Sequence, residues 1–188
     1  MSYEFNRAGV KKLGYNPEQV NTFLEFAKTQ YANPDGEHIS AARIRITRFR
    51  LVKNGYSISA VDAAMEKLED VFAARELERT LHKIGLADFK AELFEGQELL
   101  ANRIARKPKK RFRRRAFLYR GYSLKQVDEF CAQVETHIDQ STALTVKAVR
   151  LIAFRTQRGG YAEYQVDAFI EKLVEVLQRE SILAKTSY

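Results

Sequence analysis

Four stretches of the chain share one pattern of apolar and polar positions. Each begins with Gly-Tyr, continues through four variable residues, and ends in Val followed by Asp or Asn. Beyond the valine, apolar side chains recur at intervals of three and four residues, which is typical of a helix with one narrow apolar seam. The predicted seams are Val61, Ala64, Leu68 and Val71, and Val166, Phe169, Leu173 and Val176. The pattern predicts helices that begin near residues 17, 58, 124 and 163. The motif positions are Gly14, Tyr15, Val20 and Asn21; Gly55, Tyr56, Val61 and Asp62; Gly121, Tyr122, Val127 and Asp128; and Gly160, Tyr161, Val166 and Asp167.

The residues between tyrosine and valine carry helix-start signals. Asn16 and Ser123 are good N-cap residues, and each is followed by Gln at the third helical position, Gln19 and Gln126, which predicts capping boxes. The tyrosine and valine then occupy the two positions of a hydrophobic staple. We expect the glycine to allow a sharp turn into the helix. We expect the acidic residue to lie near the positive helix end and to pair with the basic loop before it.

The four copies form two pairs, because their flanks match alternately. Phe5 and Phe112 precede the first and third copies at the same distance, and Ser40 and Thr145 lie at corresponding distances before the second and fourth. Ser40 and Thr145 predict N-capped short helices or single turns followed by extended chain, although the β-branched residues of these segments also permit a strand. This organisation gives a first repeat pair over 1–80, a linking helical segment over 81–106 that breaks near Gly85, and a second repeat pair over 107–188. The linking segment predicts a helix that begins near residue 86, and its apolar side chains are expected to pack on one of the pairs: Leu86, Phe89, Leu93, Leu100 and Ile104.

The expected fold class is mainly α. Four loop-turn-helix repeats would form two parallel helix-pair pseudo-dimers, with an additional linking helix. The return segment from residue 37 to residue 54 is long enough, at about 3.3 Å per residue, to start the second helix beside the start of the first. We therefore expect Val20 near Val61 and Val127 near Val166, in a seam like that of a coiled coil. Because each seam can close within the chain, a monomer is permitted, and the oligomeric state stays open.

Composition narrows the setting. The chain has 188 residues, a formal net charge of +8 and one cysteine, so it cannot form an intrachain disulfide. No stretch approaches the roughly 18 apolar residues of a membrane span, and the N-terminal residues lack the apolar core of a signal peptide. We expect a cytoplasmic protein with an anionic partner, either nucleic acid or an acidic lipid surface.

The motif and its flanks resemble the DivIVA-domain family, and in particular actinobacterial proteins that carry several such domains in one short chain. The second copy matches at Ser40, Ile44, Phe49, Gly55, Tyr56, Val61 and Asp62, and the fourth at Thr145, Val149, Phe154, Gly160, Tyr161, Val166, Asp167, Phe169 and Ile170. The resemblance implies a non-enzymatic scaffold of bacterial cell division or polar growth that recruits other division or cell-envelope proteins. It also implies parallel helix pairs capped by crossed loops, whose apolar, basic-flanked tips enter the cytoplasmic leaflet.

One loop of the third copy fits that tip. It carries the candidate binding residues Arg113, Arg114, Arg115, Phe117, Leu118, Tyr119 and Arg120. Aromatic insertion and about 1 kcal/mol per basic residue would favour peripheral contact with an anionic membrane. Three other interpretations stay open: apolar residues that cover the helix pair, nucleic-acid binding through the basic region 103–120, and a scaffold that binds only proteins.

An enzyme is not expected. The histidines, His38, His82 and His137, are scattered, and Cys131 takes the place of an apolar seam residue, which predicts a core position. We expect no metal, no cofactor and no small-molecule substrate.

Overall fold

The computed structural model describes residues 4–33, 39–139 and 143–186, and it is mainly helical, as the sequence predicts. Its elements in chain order are β1 (Leu13–Tyr15), α1 (Pro17–Ala32), α2 (Ala41–Ile46), β2 (Leu51–Lys53), α3 (Ile58–Ile104), β3 (Arg120–Tyr122), α4 (Leu124–Ile138), α5 (Val146–Arg150), β4 (Thr156–Arg158) and α6 (Glu163–Thr186). Gly85 interrupts α3 with φ 83° and ψ 165°, a backbone conformation open almost only to glycine. The predicted break near Gly85 is confirmed.

The chain divides into two compact units, unit 1 (Met1–Arg79) and unit 2 (Thr80–Tyr188). Each unit holds one two-stranded antiparallel sheet, β1 with β2 and β3 with β4. The registers correspond, because Gly14 lies opposite Val52 and Gly121 lies opposite Gln157. β2 and β4 lie in the extended chain predicted after the Ser40 and Thr145 turns, whereas sequence patterns indicated loops at β1 and β3, since three residues are too few to show an alternation of apolar and polar side chains.

The predicted helix starts and N-caps are confirmed. The Asn16 side chain accepts hydrogen bonds from two N–H groups of the first turn of α1, and Ser123 accepts one at the start of α4. Ser40 and Thr145 cap the short helices α2 and α5 in the same way. The first helix ends at Ala32, and most of the turn predicted to follow it lies outside the described residues.

Unit 1 has its core between α1 and the first part of α3. Val20 and Val61 are fully buried in one cluster, together with Leu24 and Tyr56. The predicted seam is wrong at Val71, which is 45% exposed, whereas its neighbour Phe72 is buried. A straight α-helix has 3.6 residues per turn, so a seam followed at an average spacing of 3.5 drifts off the core-facing side.

Unit 2 has a larger core. Val127 and Val166 are buried in one cluster with the predicted seam residues Phe169, Leu173 and Val176. The linking part of α3 packs in the same unit through its buried or partly buried apolar side chains, which are Phe89, Leu93, Leu100 and Ile104. The expectation that Leu86 joins them is wrong, because Leu86 is exposed.

Candidate functional site: crossed motifs and a basic aromatic turn

In each unit the two Gly-Tyr motifs cross with their backbones so close that a side chain at either glycine would clash. A Cβ added to Gly121 would lie 2.2 Å from the carbonyl oxygen of Tyr161, and one added to Gly160 would lie 2.4 Å from that of Tyr122. The corresponding distances at Gly14 and Gly55 are 2.3 Å and 2.4 Å, again to backbone oxygens. None of these glycines has a positive φ. These glycines therefore need no conformation closed to other residues, and the distances show that they let two backbones touch.

The backbones at each crossing exchange two hydrogen bonds. Tyr15 N donates to Tyr56 O at 3.0 Å, and Tyr56 N donates to Tyr15 O at 2.8 Å. Tyr122 and Tyr161 repeat the exchange at 3.0 Å and 2.9 Å.

The glutamines at the helix starts bind across the crossing rather than within their own helix. Gln19 Oε1 accepts from Arg50 N, and Gln126 Oε1 accepts from Arg155 N, each at 2.8 Å. The N-cap N–H groups of Asn16 and Ser123 donate to the carbonyl oxygens of the same two arginines. The prediction of capping boxes is therefore wrong, because the N–H that a capping box would satisfy already has a backbone partner.

The last residue of each motif binds the tyrosine of the paired copy. Tyr161 Oη donates to Asp128 Oδ1 at 2.9 Å, and Asn21 Nδ2 donates to Tyr56 Oη at 3.3 Å. Reciprocal side-chain hydrogen bonds join Tyr15 to Asp62 and Tyr122 to Asp167. Each copy thus supplies a tyrosine and also a carboxylate or amide that binds the tyrosine of the paired copy, which explains why these residue types recur together.

Unit 2 adds a buried cation to this arrangement. The Arg111 side chain is almost fully buried; its Nε donates to Ile104 O at 3.0 Å and its Nη1 to Asp128 O at 2.9 Å, and Nη1 lies 3.4 Å from Asp128 Oδ1. The expected pairing of a motif acid with the preceding basic loop is confirmed here. The basic region 103–120 that the nucleic-acid interpretation uses includes Arg111, whereas Arg111 belongs to the core of the crossing.

Burial raises pKa values in this part of unit 2. It raises the pKa of the Cys131 thiol from 9.0 to about 12, the nearby Arg111 cation opposing the shift. Burial, followed by the hydrogen bond to Asp128, raises the pKa of the Tyr161 hydroxyl. The prediction that Cys131 is a small core residue is confirmed, because its side chain is fully buried.

These shifts predict loss of stability in alkali. Both groups are neutral when protonated, and both have pKa values above their unfolded ones. Their stabilisation is complete below about pH 9 and decreases as the pH rises towards about 12. We expect the urea midpoint of unit 2 to fall across this range, and Cys131→Ala to lessen the fall. A midpoint that stays constant from about pH 8 to about pH 11 would contradict the assignment.

The candidate binding residues surround an exposed turn next to this crossing. Tyr119 N donates to Ala116 O at 2.8 Å, which places Phe117 and Leu118 at the two central positions. Phe117 is 74% exposed, Leu118 81% and Tyr119 59%. The interpretation that these side chains cover the helix pair is therefore wrong.

Arginines border the turn, and hydrogen bonds hold two of their side chains in place. Arg114 Nε donates to Gly159 O at 3.0 Å, and Arg120 Nε donates to Thr156 Oγ1 at 3.1 Å. The Arg115 guanidinium lies 5.4 Å from the centre of the Tyr119 ring. An open groove of about 450 Å³ on this side is lined by Arg113, Arg114, Arg115, Ala116, Tyr119, Ala162 and Tyr164.

Unit 1 has a turn at the corresponding place. Lys12 N donates to Gly9 O at 3.0 Å, so Val10 and Lys11 occupy its central positions, and Val10 is 80% exposed. This turn carries aliphatic side chains with two lysines and lacks the aromatic side chains of its counterpart.

No family model, curated protein or solved structure matches this chain.

Among the described residues, no helix combines the length and the apolar composition of a membrane span. No group of three or more His, Cys, Asp or Glu among the described residues is arranged to hold a metal ion. His137 Nε2 lies 3.1 Å from Glu180 Oε2, which joins α4 to α6, and His38 lies outside the described residues.

Proposed function

We propose that this chain is a non-enzymatic scaffold of bacterial cell division or polar growth that binds an anionic membrane peripherally through the turn at residues 113–120. A cytoplasmic location at the inner face of the membrane is part of the same proposal. The observation that carries it is the exposure of Phe117 and Leu118 at the tip of a turn bordered by four arginines. A soluble protein rarely leaves adjacent large apolar side chains in water at a loop tip without a binding role.

A DivIVA-like arrangement supports the proposal. Each unit would be a pseudo-dimer of two repeats whose helices run parallel from a shared crossing. In unit 1, the helix starts meet at Val20 and Val61, and Tyr31 near the end of α1 has its ring 5.7 Å from that of Phe72. In unit 2, Val127 and Val166 share a core near the starts, and His137 reaches Glu180 further along. Contacts at both ends favour parallel over antiparallel packing.

The chemistry of the turn suits a membrane surface. Each arginine near an anionic leaflet contributes about 1 kcal/mol, and burying a phenylalanine or leucine side chain contributes about 1.5–3 kcal/mol. Tyr119 can keep its hydroxyl at the headgroup level while its ring enters the interface. Together these terms give reversible binding that weakens with salt.

Vesicle co-sedimentation tests the proposal. We expect the chain to sediment with vesicles containing phosphatidylglycerol and to stay in solution with vesicles of phosphatidylcholine alone. Phe117→Ser should weaken binding at every salt concentration, because it removes apolar insertion. Arg115→Glu should weaken it most at low salt, and the double variant should abolish it.

Matched controls come from unit 2 itself. Leu151 is an exposed apolar residue and Lys125 an exposed basic residue, and both lie outside the turn. Leu151→Ser and Lys125→Glu should bind vesicles as the parent chain does. If these controls lose vesicle binding to the same extent, binding depends on the overall charge or hydrophobicity of the chain and not on the turn. Preference for duplex DNA over anionic vesicles in a competition assay would instead favour the nucleic-acid alternative, and no binding to either would leave a scaffold that binds only proteins.

A further inference from the structure

Unit 1 carries an open apolar groove along its helix pair. The groove has a volume of about 410 Å³, and its apolar lining includes Phe5, Leu24, Leu68, Val71 and Phe72. Tyr31 also lines the groove, and the side chains of Val71 and Tyr31 are both nearly half exposed. A contiguous apolar surface of this kind on a helix pair is typical of a site that receives another helix.

The corresponding face of unit 2 shows which kind of element covers it. Leu68 and Val71 lie at the same distances from Gly55 as Leu173 and Val176 lie from Gly160, and both unit 2 residues are buried. The linking part of α3, residues 86–104, supplies the cover.

Gly96 marks the point of closest approach between this cover and α6. A Cβ on Gly96 would lie 2.8 Å from Val176 Cγ2 and 3.4 Å from Lys172 Cε. Phe89, Leu100 and Ile104 of the same segment are buried. The face that Leu173 and Val176 present is thus filled by an amphipathic helix with a glycine at its centre.

We propose that the unit 1 groove binds an amphipathic helix of a partner protein, with an apolar stripe spaced like residues 89, 93, 96, 100 and 104, and a small residue at the middle position. Leu68 and Val71 are identical in type to their unit 2 counterparts, so the groove presents the same side chains to its occupant.

Charge further defines this partner helix. Lys28 and Lys67 line the groove, so carboxylates beside the apolar stripe would be favoured. The covering helix of unit 2 already makes such a contact, because Glu92 Oε2 lies 2.7 Å from Arg179 Nη2 of α6.

A separate protein is a better occupant than a second copy of this chain. The one segment of the described chain with the required stripe and central glycine is residues 86–104, and it is already packed in unit 2. Transferring it to another copy would uncover Leu173 and Val176 of unit 2, so one groove would open for each one filled.

A peptide with the sequence of residues 86–106 is the probe. Labelled with fluorescein, it should bind the full chain saturably in an anisotropy titration. Val71→Glu should weaken binding about ten-fold or more, because it places a charge in the groove, and Lys67→Glu should weaken it less and mainly at low salt. A Gly96→Leu peptide should bind more weakly than the parent peptide.

The control variant is Ile46→Glu, at an exposed apolar position of unit 1 outside the groove, and it should bind the peptide like the parent chain. The proposal is overturned if the peptide shows no saturable binding, or if the Val71→Glu and Lys67→Glu variants bind it as tightly as the parent chain does. A chain that sediments as a dimer, and becomes monomeric with Val71→Glu, shows that the occupant is a second copy and also overturns it. Because the membrane turn lies in unit 2, the vesicle assay and the peptide assay fail independently.

Discussion

Gly121→Ala is expected to destabilise unit 2 by about 3 kcal/mol or more. The added Cβ would lie 2.2 Å from the carbonyl oxygen of Tyr161 and 3.0 Å from the carbonyl carbon of Gly160. Both atoms belong to backbone, so no side chain can move aside. The strands must separate, and the two hydrogen bonds exchanged by Tyr122 and Tyr161 are lost or lengthened.

The chain's single cysteine makes this effect measurable in unit 2 alone. Cys131 is fully buried, so a thiol reagent labels it only when unit 2 opens. We expect Gly121→Ala to lower the urea midpoint followed by circular dichroism and to speed the labelling of Cys131 without denaturant. An unchanged labelling rate and urea midpoint would show that the crossing tolerates a side chain.

Gly14→Ala is the matched control, because its Cβ would lie 2.3 Å from the carbonyl oxygen of Tyr56 in unit 1. It should lower stability by a comparable amount and leave the labelling of Cys131 nearly unchanged, since the contacts of each crossing lie within its own unit. Gly9→Ala provides the second control. Nothing lies within 4 Å of its added Cβ, so only its positive φ of 104° is penalised, at about 1–2 kcal/mol.

Local signals explain why the helix starts could be predicted from sequence. An N-cap such as Asn16 or Ser123 binds N–H groups two or three residues away, so the residues that decide the start lie together in the chain. The seam of α6 was predicted correctly for the same reason, because its spacing is visible within one helix.

The crossing was not predictable in the same way. The repeated motif shows that glycine, tyrosine and an acid or amide are required, but it does not show that Tyr161 binds Asp128 of another copy. Such contacts join residues far apart in sequence, and a single copy gives no clue to its partner. Only the recurrence of the residues together, copy after copy, hints that they act on one another.

Arg111 shows what a comparison between copies can add. Of the four arginines between Arg111 and Arg115, only Arg111 is buried. The position equivalent to Arg111 in unit 1 is Glu4, which is exposed, and the position equivalent to Asp128 is Asn21. The arginine and the carboxylate occur together or not at all, which is the signal of a charge pair.

Because of this charge pair, Asp128→Asn is expected to destabilise unit 2 by about 3 kcal/mol. Asparagine can still accept the hydrogen bond from Tyr161, but it carries no charge to balance the buried Arg111 guanidinium. It also offers one oxygen where aspartate offers two, and Lys109 N at present donates to the second of them at 2.8 Å. Urea unfolding and Cys131 labelling measure the loss.

The reciprocal substitution separates charge from hydrogen bonding. Asn21→Asp in unit 1 introduces a carboxylate that can accept a hydrogen bond from Tyr56, but no buried arginine stands opposite it among the described residues, so the added charge should not stabilise unit 1. Arg111→Met combined with Asp128→Asn should recover part of the stability lost by Asp128→Asn alone, because the unbalanced buried cation is gone. If the double variant is as unstable as the two single losses added together, the pair does not act as a unit. Asp128 would then stabilise the crossing only through its hydrogen bonds to Tyr161 and Lys109.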